Sequence, residues 1–161
     1  MIVIVIMGVV YTLSVTALER QGNRAKRVTL LTLKSYLTDL KYERDARLLC
    51  LDDCSECDVL VDGEKETSLE NFLDDTVRLY HYSYVNGAQE VLKEVYFNKE
   101  DVQEDVCFSY KVDKEGVGDQ VLVEYKEHFY DFTNYLEPTV KYDSMQELVD
   151  AKESKIEEVL R

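Results

Sequence analysis

The sequence predicts an α+β domain in which a long N-terminal helix lies against an antiparallel β-sheet and a second helix closes the chain. Three observations predict it. Residues 1–18 are almost wholly apolar or hydroxylated, and an amphipathic stretch follows them without a strong breaker. The middle of the chain holds several short segments of alternating polarity, separated by turn residues. Residues 144–161 carry a helix start signal and an imperfect apolar stripe.

As a helix, residues 1–18 would span about 27 Å, enough for a hydrocarbon core. A cleaved signal peptide needs a basic region before the apolar run, and none precedes it. A wholly apolar core helix needs a larger protein around it. The stretch therefore reads as a membrane helix, with Ile2, Val3, Ile4, Val5, Ile6, Val9, Val10, Leu13 and Leu18 as its apolar surface. Beyond Leu18 the pattern becomes one-sided. Ala25, Val28, Leu31, Leu33, Tyr36, Leu37 and Leu40 recur at spacings of three and four, with a slip at Leu33, while Lys34, Thr38 and Lys41 take the other face. Gly22 is tolerated at modest cost. The expected division is a transmembrane half over 1–18, an amphipathic half of the same helix over 19–44, and a body over 45–161.

Within the body, Leu48–Leu51 and Val59–Val61 read as strands around the polar Asp52–Glu56. "TSLENFLDD" reads as a short helix or turn with Ser68 as N-cap. "VRLYHYSYVNG" alternates and ends on Asn86-Gly87, a strong hairpin signal, and "EVLKEVYF" would return from it. "EDVCFSYKVD" puts Val106, Phe108, Tyr110 and Val112 on one face. "DKEGVGD" is a turn, and "QVLVEYKEHFYDF" reads as one further strand. Ser144 or Asp143 caps the terminal helix, with Glu147 three residues past Ser144, and Met145, Leu148, Val149, Ile156, Val159 and Leu160 form its stripe.

Charge narrows the partners. The formal net charge is −14, divided as +4 over residues 1–44 and −18 over 45–161. An acidic body repels phosphate backbones, which argues against a nucleic-acid partner. Arg20, Arg24, Lys26 and Arg27 follow the apolar run and read as a solvated helix face beside lipid headgroups. A single Pro and six Gly argue against a low-complexity chain.

Cys50, Cys54, Cys57 and Cys107 are the main chemical constellation. Three Cys on one hairpin with a fourth downstream could hold zinc, but zinc sites usually show two separated pairs. Cys54-Ser55-Glu56-Cys57 lies among acids, which raise a thiol pKa and disfavour redox work. Two disulfides are preferred for a body outside the cytoplasm. Of the three possible pairings, Cys54–Cys57 with Cys50–Cys107 is favoured. His81 and His128 have no partner in a nucleophile motif and read as strand-surface residues. The acids Asp52-Asp53, Asp74-Asp75 and Asp113 to Asp119 do not follow calcium-loop spacing. Tyr80, Tyr82 and Tyr84 form a stripe, read as a core face by default and as a protein contact if exposed together.

The stretch "MIVIVIMGVVYTLSVTALERQGNRAKRVTLLTLKSYL" resembles the N-terminal helix of type IV pilin-like proteins, including the pseudopilins of type II secretion systems. In that family a basic leader ends in Gly, and the mature helix opens with Phe, a few apolar residues and a Glu. The sequence here matches from just downstream of that Glu, so a leader is expected in the upstream reading frame. By the positive-inside tendency the basic cluster would put the body in the cytoplasm; the resemblance implies a basic leader that reverses this. It implies a structural, non-enzymatic subunit of a pilus or pseudopilus. Ile2 to Leu18 would hold it in the inner membrane before assembly, with the body in the periplasm or an extracellular filament. Partners would be other pilin-like subunits through that helix, the inner membrane, and secreted cargo. No resident cofactor is expected, although some pseudopilins bind calcium in a late loop. The alternative is a membrane-anchored binding, thiol or metal protein using Cys50, Cys54, Cys57 and Cys107; a secreted hydrolase is a third reading.

Overall fold

The computed structural model describes residues 28–91, 94–97, 103–135 and 137–159. Its architecture is mostly β. Helix α1 (Leu30–Thr38) is followed by β1 (Asp45–Leu51), β2 (Glu56–Val61), β3 (Glu64–Glu70), β4 (Arg78–Ser83), β5 (Gly87–Glu90), β6 (Glu94–Phe97), β7 (Gln103–Asp113), β8 (Leu122–Tyr125), β9 (His128–Asp131), β10 (Val140–Tyr142) and helix α2 (Met145–Val159). The strands form two five-stranded antiparallel sheets, ordered β3-β2-β1-β7-β6 and β10-β9-β8-β4-β5.

The long N-terminal helix packed on a single sheet is therefore corrected. A helix running from the apolar stretch through Ala25 to Leu40 cannot pass Thr29, whose backbone is extended at φ −129°, ψ 167°. Thr29 N donates to Thr32 Oγ1 at 2.9 Å, so this residue starts a new helix rather than continuing one. The helix that starts after Thr29 has 9 residues. Among the described residues none is long and apolar enough to cross a membrane, and the single-pass inner-membrane placement is withdrawn. The candidates Ile2, Val3, Ile4, Val5, Ile6, Val9, Val10, Leu13 and Leu18 lie outside the described residues.

Two of the body readings change for reasons of turn chemistry. "TSLENFLDD" is not helical: its first half completes β3, which pairs with β2 across the two-residue turn Asp62-Gly63, both at positive φ (53° and 89°). Asp62 also accepts from the backbone N–H groups of Glu43 (3.0 Å), Arg44 (2.7 Å) and Asp45 (3.3 Å). These donors hold its carboxyl below the usual carboxylate range. "QVLVEYKEHFYDF" is a hairpin rather than one strand. Lys126 and Glu127 turn the chain at φ 50° and 62°, between the paired Tyr125 and His128. The segment returning from Asn86-Gly87 splits: Gly87–Glu90 pairs with β4, whereas Glu94–Phe97 joins the other sheet beside β7.

One core joins both sheets and α1. Leu33 and Leu37 of α1 pack with Leu48, Val59, Phe108 and Val112 of the first sheet and Val123 of the second. Tyr110 packs against Phe132 with ring centroids 4.6 Å apart and the rings tilted by 52°. Period-two alternation puts Ala46, Leu48 and Cys50 of β1 opposite Val112, Tyr110 and Phe108 of β7, and all six side chains are fully buried. The same alternation turns Arg47, Ser109 and Lys111 to the other face. A register shift at Cys50/Leu51 makes Cys107 an extra residue and brings Val106, not Cys107, opposite Leu51. Lys34 also departs from expectation. It is buried, and its Nζ donates to the carbonyls of Asn134 (2.5 Å), Tyr135 (2.9 Å) and Glu137 (3.2 Å). Burial lowers its pKa.

α2 packs against β9 and β10. Glu147 N donates to Ser144 Oγ at 3.1 Å, and Asp143 N donates to Glu147 Oε2 at 2.9 Å, which caps its first turn. Leu148 is fully buried.

Candidate functional site

The cysteine cluster forms two disulfides, Cys50–Cys57 and Cys54–Cys107, a different pairing from the one expected. Register explains the first: Cys50 and Cys57 are directly opposed on β1 and β2, with Cα atoms 4.0 Å apart. Backbone conformation explains the second. Cys54 sits in the β1–β2 turn at φ 63°, which carries it out of the Cys57 register and over the bulged Cys107. Neither pairing is readable from Cys spacing. Among the described residues no cysteine is free, and both bridges point to an oxidising compartment.

The other candidate residues do not converge. His81 is exposed on β4, and His128 lies 3.2 Å from Asp143 at the sheet edge. Asp74 accepts from Thr76 N (3.1 Å) and Tyr125 Oη (3.1 Å). Asp113 accepts from the N–H groups of Glu115 (3.0 Å) and Val117 (2.9 Å). These carboxylates shape turns. Among the described residues no three His, Cys, Asp or Glu side chains gather as metal ligands.

What the structure brings together instead is a basic cleft of about 390 Å³ between the outward face of the first sheet and strand β4. Its charged wall comes from three strands. Arg47 on β1 and Lys111 on β7 are directly opposed partners in the antiparallel ladder. Arg78 and His81 approach from β4. Like charges directly opposed on neighbouring strands repel and destabilise the pair. Among the described residues neither Arg47 nor Lys111 has an ion-pair partner, whereas Arg78 is paired to Glu90 at 3.1 Å. Asp119 stands at the same wall, and its Oδ2 accepts from Lys111 N at 2.8 Å.

Part of the floor is apolar. Val77 and Val106 are buried, and Leu79, Val91 and Val121 line the cleft beside them, with Ser109 and Gln120 as polar neighbours. Beside this wall, Tyr80 donates its hydroxyl to Glu124 Oε2 at 2.6 Å. Burial, reinforced by that bond, pushes the Tyr80 phenol up to about 12. The arrangement offers two adjacent cations over a hydrophobic recess in a chain whose net charge is −14.

Sequence reasoning did not single out Arg47 or Lys111. Each occupies a polar phase of its strand, the expected place for a solvated charge. Only the β1–β7 register, with 63 residues between the two partners, sets them side by side. Comparison of the chain with family models, curated proteins and solved structures returns no match.

Proposed function

We propose that this chain is a non-catalytic binding module of an oxidising compartment, and that the cleft at Arg47 and Lys111 takes a small ligand with one carboxylate and an apolar body. The observation that carries the reading is the directly opposed Arg47 and Lys111, without an ion-pair partner among the described residues, at the mouth of an apolar recess. A carboxylate seated between them would turn a repulsive pair into two charge-assisted hydrogen bonds. The apolar floor would then cover the rest of the ligand. An opening of about 390 Å³ suits a short acyl chain or a single substituted ring.

The competing readings draw less support from the described residues. A pilus-subunit role drew on a continuous helical shaft, which the extended backbone at Thr29 interrupts. A thiol or metal role drew on thiolates, and the four sulfurs are bonded to one another.

Calorimetric titration with octanoate, octanol and inorganic phosphate tests the proposal. Octanoate is expected to bind more tightly than either of the others, because it alone meets both the cations and the floor. Replacing both cations (R47Q/K111Q) is expected to weaken octanoate at least tenfold while leaving the melting temperature at or above that of the wild type. Equal binding of octanoate and octanol, or octanoate binding unchanged in the double variant, would overturn it.

A further inference from the structure

A second concavity of about 430 Å³ lies between α2, β10 and the β9–β10 loop. Tyr84, Tyr135 and Tyr142 line it. Tyr84 is 72% exposed and Tyr135 59% exposed, and Tyr84 is braced edge to face by the Tyr82 ring, with centroids 5.4 Å apart. Single exposed aromatics are unremarkable, but two of them beside one polar pocket are a recognition feature.

The pocket interior is polar and electrically balanced. Lys152 is buried and sits 2.8 Å from Asp131 Oδ2, and its Nζ also donates to Thr133 Oγ1 at 2.5 Å. Thr133 in turn donates to Asp131 Oδ1 at 2.7 Å. Lys155 pairs with Glu137 at 2.8 Å. Each cation therefore has its own carboxylate, and the pocket favours neither sign of ion. Asn134 supplies an unused donor: its Nδ2 is buried and has no partner among the described residues. A buried donor of this kind costs free energy until an acceptor reaches it.

The wall is also held in place before any ligand arrives. The three carbonyls that receive Lys34 Nζ belong to Asn134, Tyr135 and Glu137, so a buried ammonium in α1 fixes the loop that carries both the orphan amide and one exposed ring. Fixed walls lower the ordering cost of binding.

We infer that this pocket binds a neutral polyhydroxylated ring, a monosaccharide unit or its glycoside. Its C–H faces would lie on Tyr84 and Tyr135, and its hydroxyls would meet Asn134 and the Asp131–Thr133–Lys152 cluster. A charged ligand is disfavoured because the charges present already compensate one another. This inference is independent of the carboxylate cleft, with which the pocket shares no lining residue.

Saturation-transfer NMR on the full chain, with the methyl glycosides of glucose, galactose, mannose and N-acetylglucosamine each at millimolar concentration, tests it. At least one glycoside is expected to show transfer. Tyr84→Ala and Tyr135→Ala, both surface changes, are each expected to weaken that glycoside about tenfold without moving the melting temperature or octanoate binding. Absence of transfer from all four glycosides overturns the inference, as does transfer that survives the Tyr84→Ala/Tyr135→Ala double variant. Loss of octanoate binding in Arg47→Gln/Lys111→Gln with glycoside binding intact separates the two sites.

Discussion

Several single residues decide local structure by what they exclude. A Cβ at Gly118 would lie 1.9 Å from Tyr110 Oη and 2.7 Å from Tyr110 Cζ. Tyr110 is fully buried and packed against Phe132, so it has nowhere to move. Gly118→Ala is therefore expected to cost about 2–3 kcal/mol in denaturant unfolding. The Tyr110 hydroxyl is itself buried without a partner among the described residues, and burial raises its pKa. Tyr110→Phe should be neutral or stabilising, by up to about 1 kcal/mol, and should recover part of the Gly118→Ala loss. Tyr80 gives the alkaline counterpart. Its phenol stays protonated in the fold to about 12, while in the unfolded chain it ionises near 10. Folded Tyr80 thus holds its proton over a range where the unfolded chain has released it, and stability falls with rising pH across that range. The contribution is whole below about pH 10 and is lost between about pH 10 and 12. Phenolate absorbance should show a late-titrating tyrosine in the native protein, and Tyr80→Phe should remove that component and flatten the alkaline fall in melting temperature.

At the scale of elements, the disulfides tie a hairpin to a distant strand. Cys50–Cys57 closes a separation of 7 residues within one hairpin, and Cys54–Cys107 closes 53. Loop-closure entropy grows with the logarithm of that separation, giving roughly 2 and roughly 4 kcal/mol in the chain-entropy account. Cys54→Ser/Cys107→Ser should lower unfolding free energy by more than Cys50→Ser/Cys57→Ser, measured in the same denaturant; the reverse order would refute the entropic account. Several elements were legible from local pattern. The alternation of Phe108, Tyr110 and Val112 and the Ser144/Glu147 start signal correspond to features of β7 and α2. The Asp62-Gly63 turn is also legible, as an Asp-Gly signal between alternating segments, whereas the strand half of "TSLENFLDD", which carries little apolar alternation, is not. The Lys126-Glu127 turn was not legible. Neither residue favours positive φ, and the flanking pairing imposes it. The slip of the apolar stripe at Leu33 was the trace of a helix that starts at Leu30, and the continuity assigned across Thr29 came from the absence of Pro rather than from a positive signal.

For the molecule as a whole, the proposed site is built by register rather than by motif. The carboxylate cleft is assembled from β1, β4, β5, β7 and the segment leading into β8, and none of these segments carries a signature alone. Cysteine content pointed to disulfides, and the four sulfurs form two bridges that serve the frame, while two strand cations carry the charge of the proposed cleft. That division yields a test on the unliganded protein. If Arg47 and Lys111 are held against their mutual repulsion for the sake of an anionic ligand, removing one charge must help the empty protein and harm the loaded one. Melting temperatures of wild type and Arg47→Gln, with and without octanoate, measure this directly. The expected result is a higher melting temperature for Arg47→Gln without octanoate and a loss of most of the octanoate-induced rise that the wild type shows. A lower melting temperature for the empty variant together with an undiminished octanoate-induced rise would contradict the account.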